Sequence, residues 1–179
     1  MRQIDFYQIG QAGLEPVLLM LLKKTLAAKK KAIILCPMPA ASALDDSLWS
    51  LDADSWIAHG LDDADGAEYC NVWISTDMAA NPIKAEFLFL LHGSVPTTWD
   101  GIARSFYLFD GRSDAQLQQA RDQWKEWQDL GDSKLGYFSQ NAQGGWDRWP
   151  KVRISLPVVG DLSVMQLIFV LYHGRCLPY

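Results

Sequence analysis

The run Ala32 to Cys36 (AIILC) is apolar at every position, with no alternation of polar and apolar side chains. A segment of that kind is buried on both faces, the condition met by strands of parallel sheets covered with helices on either side. Pro37 and Pro39 end it. Comparable runs lie along the chain at Ile4 to Ile9, Asn71 to Ser75 (NVWIS), Glu86 to Leu91 (EFLFLL) and Arg104 to Phe109 (RSFYLF), and Tyr137 to Gln140 adds a shorter candidate. Helical stretches fall between them. Glu15 to Lys30 places Leu18, Leu21, Leu22, Thr25 and Leu26 on one face, has Pro16 in its first turn, and ends in a cluster of lysines that suits the helix dipole. A second helix is expected over Ala40 to Trp49. A third is expected over Ser113 to Leu130, with Ser113 as N-cap, Gln116 three residues on and Gly131 past its end. Strands alternating with helices predict an α/β layered domain around a mostly parallel sheet. The span Ala53 to Gly66, with its acidic DDADG, reads as a long surface connection.

The 179 residues suffice for one domain with a proper core, and 49% hydrophobic with 21% charged residues is a globular composition. A net charge of -5 argues against a broadly cationic nucleic-acid surface and leaves room only for a local basic patch. Cys36, Cys70 and Cys176 lie far apart without metal-ligand spacing, so neither a disulfide framework nor a zinc site is expected. The N-terminus lacks the pattern of a secretory signal. The longest apolar candidate, Leu162 to Tyr172, is too short to span a bilayer. The expectation is a reduced cytoplasmic protein with no membrane contact.

Catalytic signals are sparse. Gly10 to Gly13 stands between a strand and a helix, where a phosphate loop would sit, but it has neither GxGxxG nor Gly-Lys-Ser/Thr and reads as a tight turn. Cys36 ends a strand, a place for a nucleophile, yet a phosphatase-type loop would need Arg at position 42, which is Ser. His92-Gly93-Ser94 is not a nucleophile elbow, and only His59 and His173 remain as partners. Asp62, Asp63 and Asp65 read as a solvated acidic loop rather than an acid/base pair. No cofactor or metal is expected.

The third helix carries the most distinctive pattern. Leu117, Ala120, Trp124, Trp127 and Gln128 or Leu130 form a wide stripe, while Arg121 and Lys125 stand four apart with Trp124 between them. Two readings follow. The strip could hold a short acidic peptide with an aromatic end, its cations pairing with carboxylates. Alternatively, the two indoles seal the helix onto the sheet and the cations are merely solvated. Trp49 and Trp56 form a second aromatic group near Leu48, Leu51 and Ile57, either a protein contact or a core pair.

The ordered set DFY near the N-terminus, AIILC, LDDSLWS, DSWIAHGL, the FDG turn at Phe109 to Gly111, ARDQWKEW and GYFSQNAQGGW resembles the chi subunit of bacterial DNA polymerase III holoenzyme, through most of Asp5 to Trp149. The elements FDG, AR-xx-WK and GGW most resemble alphaproteobacterial members. The resemblance implies a Rossmann-like three-layer fold without nucleotide chemistry, and a non-catalytic adaptor. Such an adaptor grips the acidic C-terminal tail of single-stranded DNA-binding protein and ties the clamp-loader assembly to coated template, touching DNA only indirectly. Carried over by position, the tail-binding residues would be Arg121, Trp124 and Lys125. A further basic residue of the family falls at Gln128, which lacks the charge. The surface for the psi subunit, or a substitute for it, would carry Trp49 and Trp56 as anchors.

The resemblance divides the chain into a chi-like domain, 1–150, and an apolar extension, 151–179, whose role stays open between added packing, which is favoured, a cover for the second surface, and docking on a partner. Two rival readings stay open. One is a small α/β enzyme for a phosphorylated or acyl substrate using the Gly10–Gly13 turn or Cys36. The other is a generic interaction domain whose basic strip binds some other acidic motif.

Overall fold

The computed structural model describes residues 2–50, 57–62, 64–77 and 81–149. Trp56 and the extension 151–179 lie outside the described residues, as do Asp63 and His173. The chain order is β1 (Arg2–Ile9), α1 (Leu14–Ala27), β2 (Ala32–Leu35), α2 (Met38–Leu48), β3 (His59–Leu61), β4 (Val72–Ser75), β5 (Phe87–Leu90), β6 (Arg104–Asp110), α3 (Asp114–Leu130), β7 (Ser133–Gln140) and β8 (Trp146–Trp149), with a 3-10 turn at Ala67–Tyr69.

All eight strands belong to one sheet, in the order β3-β4-β2-β5-β6-β1-β7-β8. Every pairing is parallel except the closing β7–β8 hairpin. The fully buried β2 sits between β4 and β5, as its unbroken apolar run requires. Helices α1 and α2 cover one face, where Leu18, Leu22, Ala41 and Leu44 meet Ile34, Ile74, Phe89 and Leu108. Helix α3 covers the other, where Ala120 and Trp127 meet Ile4, Phe6, Leu88 and Tyr107. The architecture is the expected Rossmann-like three-layer α/β fold.

Several expectations need correction. The stretch read as a surface connection, Ala53 to Gly66, contains β3, an edge strand paired with β4. Asp62 is not merely solvated: its carboxylate accepts from the Thr76 amide at 3.0 Å and the Thr76 hydroxyl at 2.8 Å, tying the end of β3 to that of β4. The short strand at Tyr137 begins at Ser133 and has a partner, β8, absent from the sequence reading. Helix α1 stops at Ala27, so Lys29 to Lys31 follow the helix rather than close it, and Lys29 adopts a left-handed φ of 56°. Helix α2 begins at Met38, with Pro39 inside its first turn, where a missing N–H costs nothing.

The α3 helix follows its capping residues. The Ser113 hydroxyl accepts from the Gln116 amide, and Gly131 closes the helix at φ 68°. Leu130, placed on the apolar stripe as an alternative to Gln128, is 66% exposed and lies outside the seam; Gln128 is exposed too. The buried line is Ala120, Gln123 and Trp127, flanked by the half-buried Leu117 and Trp124.

Candidate peptide-binding strip on the third helix

Trp124 packs before it does anything else. Its ring stands edge-on to Phe6 of β1 at 5.0 Å and to Tyr137 of β7 at 6.1 Å. Trp127 turns toward β6, edge-on to Tyr107 at 5.8 Å and to Trp99 at 5.4 Å. The two indoles thus clamp α3 across β6, β1 and β7, as the sealing reading requires. Trp124 Nε1 is buried with no hydrogen-bond partner among the described residues. Burial pushes the Tyr137 hydroxyl up to about 12, with Arg121 pulling the other way. The same hydroxyl donates to Gln8 Oε1.

Arg121 and Lys125 are exposed, and neither forms an ion pair among the described residues. At about 100° per residue both lie on the solvent side of Trp124, Arg121 on the flank facing β7 and Lys125 nearly opposite the buried line. Asp129 stands four residues after Lys125 and Asp122 three before it, so Lys125 has acids beside it on the helix surface, whereas Arg121 has none at those spacings. Two cations at i and i+4 repel by about 0.2–0.5 kcal/mol. Arg121 therefore carries the charge that no acid at helical spacing offsets, and an anionic ligand would relieve its repulsion with Lys125.

The second aromatic group is divided. Trp49 is 60% exposed and its ring lies 4.8 Å from that of His59. His59 is buried, with Nδ1 2.7 Å from the Ile57 carbonyl oxygen and Nε2 3.4 Å from an Asp45 oxygen. Trp49 is thus a large indole resting on a buried imidazole at the β3 edge. Leu48 and Ile57 are core residues beneath.

The rival enzymatic features are satisfied internally. The amides of Gly10 and Ala12, the donors a phosphate loop would offer, both donate to Gln140 Oε1, at 3.1 and 3.3 Å. Burial raises the Cys36 thiol to about 11, with Asp62 adding to the effect, far from the thiolate a nucleophile requires. β1 and β6 are neighbours whose following helices leave for opposite faces of the sheet, the crevice where α/β folds bind ligands. A cavity of about 150 Å³ lies there, bordered by Gly13, Leu14, His92, Asp110, Arg112 and Gln116. Ligand pockets usually run to about 300–1,000 Å³. The polar groups here are also engaged with one another. Arg112 donates to both Asp110 oxygens and holds that carboxyl below its usual range, while Gln116 Oε1 takes the Asp110 amide. His92 is exposed at the end of β5, three strands away from His59 on β3.

No helix among the described residues is long and apolar enough to cross a membrane, and these residues hold no cluster of potential metal ligands. Two site features escaped the sequence reading. Gln140 plugs the Gly10–Gly13 turn, and Tyr137 backs Trp124. Both reside on β7; Gln140 is 130 residues along the chain from Gly10, and Tyr137 is on the strand that follows α3. No curated protein matches the chain. A family model described as DNA polymerase III chi subunit, HolC, matches residues 1–133, the greater part of the chain, and the chain belongs to that family of replication accessory subunits.

Proposed function

We propose that this chain is a non-catalytic adaptor of the replicative polymerase that grips the acidic C-terminal tail of single-stranded DNA-binding protein with Arg121, Trp124 and Lys125. By holding that tail it ties the clamp-loader assembly to coated template, and its own contact with DNA is indirect. The observation that carries the reading is a pair of exposed cations at i and i+4, with no ion pair among the described residues, beside an indole fixed by the sheet. The Trp124 ring is held on Phe6 and Tyr137, so the strip is organised before the ligand arrives. Each exposed ion pair is worth only about 0.2–1 kcal/mol, so an apolar contact must supply much of the affinity. Gln128, uncharged, leaves the strip with two cations rather than three.

Trp49, with Trp56 beside it in sequence, is the proposed anchor of a second surface for the psi subunit or a substitute. An exposed indole lying on a buried ring is the kind of side chain that dominates protein interfaces. The adaptor role belongs to residues 1–150, with 151–179 as an added segment.

A pull-down with the tail peptide, repeated with its terminal aromatic removed, tests the first claim. Retention of the intact peptide and loss of the truncated one is expected. No retention of either peptide contradicts the reading.

A further inference from the structure

The lysines that follow α1 serve neither the helix nor the strip on α3. Lys29, Lys30 and Lys31 lead into β2, whose neighbours in the sheet are β4 and β5. All three strands are parallel, so the segments that enter them meet at one end of the sheet. There the Lys31 carbonyl accepts from the Phe87 amide at the start of β5, and the Ala32 amide donates to the Asn71 carbonyl just before β4. Lys84 stands three residues ahead of β5, and Lys24 is in the last turn of α1. The Lys30 amide donates to the Thr25 carbonyl, which folds the segment back onto that turn. Burial raises the Cys70 thiol while Lys31 pulls it the other way, which sets Lys31 beside the turn Ala67–Tyr69.

Charge gathers at this end without a use in the fold. Lys30 pairs with Glu86, Arg104 with Asp5 and Arg2 with Asp132. Lys24, Lys29, Lys31 and Lys84 form no ion pair among the described residues. Lys24, Lys29 and Lys84 are exposed and Lys31 is half-buried. Lys29 and Lys84 hold left-handed φ values of 56° and 54°, which glycine or asparagine adopts more readily. The backbone does not call for lysine at either place, so charge is what each contributes. In a chain of net charge -5 this is a local cationic patch. Beside it stands Tyr69, at 79% the most exposed large apolar side chain among the described residues.

We propose that this end of the sheet binds single-stranded nucleic acid directly, with Lys24, Lys29, Lys31 and Lys84 on phosphates and the Tyr69 ring on a base. Cations beside an open aromatic face are the two elements that such sites combine. Adjacent strands lie about 4.8 Å apart, so the patch extends about 10 Å across β4, β2 and β5, enough for a short stretch of backbone. A duplex keeps its bases stacked inside, and an acidic peptide uses the cations alone, so neither engages the exposed ring in this way. The inference goes beyond the tail-binding reading and amends it on one point, the indirect contact with DNA.

The test is fluorescence anisotropy of a labelled oligothymidylate titrated at low salt with the full chain, as parent, as Tyr69→Ala and as the double variant Lys29→Asn with Lys84→Asn. Asparagine removes both charges and suits the left-handed backbone, so the fold is kept. The parent should bind with a slope of log K against log salt of about −2 to −3, for three or four phosphates at about −0.7 each. The double variant should bind about tenfold more weakly or worse, with the slope flattened by about 1.4. Tyr69→Ala should weaken binding by about fivefold or more. An oligothymidylate carrying iododeoxyuridine should crosslink to Tyr69 of the unmutated chain, a readout independent of any folding defect. Parent-like affinity in the double variant overturns the inference, as does a crosslink confined to α3 or equal affinity for a duplex. Displacement by polyglutamate as readily as by unlabelled oligothymidylate also overturns it and marks the patch as a site for acidic peptides. The acidic tail peptide, titrated in parallel, should bind the double variant as it binds the parent. If the parent binds the tail peptide and not the oligonucleotide, the inference falls and the tail-binding reading stands; the reverse result overturns the tail-binding reading alone.

Discussion

Replacing Arg104 by Met should test what ties β6 to β1. Asp5 lies in mid-β1 with no exposed surface. Its oxygens accept from Gln3 Nε2 at 3.0 Å, and Oδ2 also accepts from Arg104 Nε at 2.9 Å and from a second guanidinium nitrogen at 2.6 Å. Arg104 opens β6, and its guanidinium also lies 4.9 Å from the Phe106 ring centre. Met keeps much of the stem but leaves the carboxylate buried with Gln3 alone. Breaking a buried pair costs about 3–5 kcal/mol. The Arg104 side chain is 37% exposed, so water reaches the vacated space and the low end, about 3 kcal/mol, applies. For a chain of this size that lowers Tm by about 6–12 °C. Removing both charges, in Asp5→Leu with Arg104→Met, should return stability to within about 1 kcal/mol of the parent. Urea unfolding followed by far-UV circular dichroism, at constant m-value, measures all three. An Arg104→Met chain as stable as the parent, or a double variant less stable than the single one, refutes the reasoning.

Three further outcomes follow from the same geometry. Gly136→Ala places a Cβ against Asp5 Oδ1 in the middle of β7, and should cost about 1–3 kcal/mol by overpacking, read from the urea midpoint. Gln140→Ala removes the acceptor of the Gly10 and Ala12 amides, and should cost about 1–3 kcal/mol to the extent that water does not replace it; hydrogen exchange at those two amides should quicken. Alkaline pH should also destabilise the fold. Burial raises the Cys36 thiol from 9.0 to about 11 and the Tyr107 and Tyr137 hydroxyls from 10.0 to about 12. The folded chain holds these protons more tightly than the unfolded one. Their contribution is therefore whole below about pH 9 and is lost as pH climbs through 11 and 12. The urea midpoint should fall over that range, and Cys36→Ala should remove the earliest part of the fall; a flat profile contradicts the assignment.

The interior of this molecule was readable because burial on both faces writes itself as unbroken apolar runs, and β2, β4, β5 and β6 all carry one. The two sheet edges lack that signal. β3 is His-Gly-Leu, three residues beside an acidic stretch, and only its pairing with β4 makes it a strand. β8 is Trp-Asp-Arg-Trp; its indoles are three apart, so they point to opposite faces and break the period of two that marks a half-buried strand. The same limit applies to the candidate site. The spacing of Arg121, Trp124 and Lys125 on one helix is local and was visible. Tyr137 joins them only through the packing of α3 on β7. The inward packing of Trp124 was visible as an alternative, and the contact with Phe6 establishes it.

The central claim is that two exposed cations beside Trp124 hold an acidic tail. Titration of the full chain with the C-terminal peptide of single-stranded DNA-binding protein, for the parent and Arg121→Glu and at two salt concentrations, measures it directly. The account predicts saturable binding by the parent that weakens with salt, and loss of binding in Arg121→Glu with an unchanged urea midpoint. Equal affinities for the two chains would contradict it.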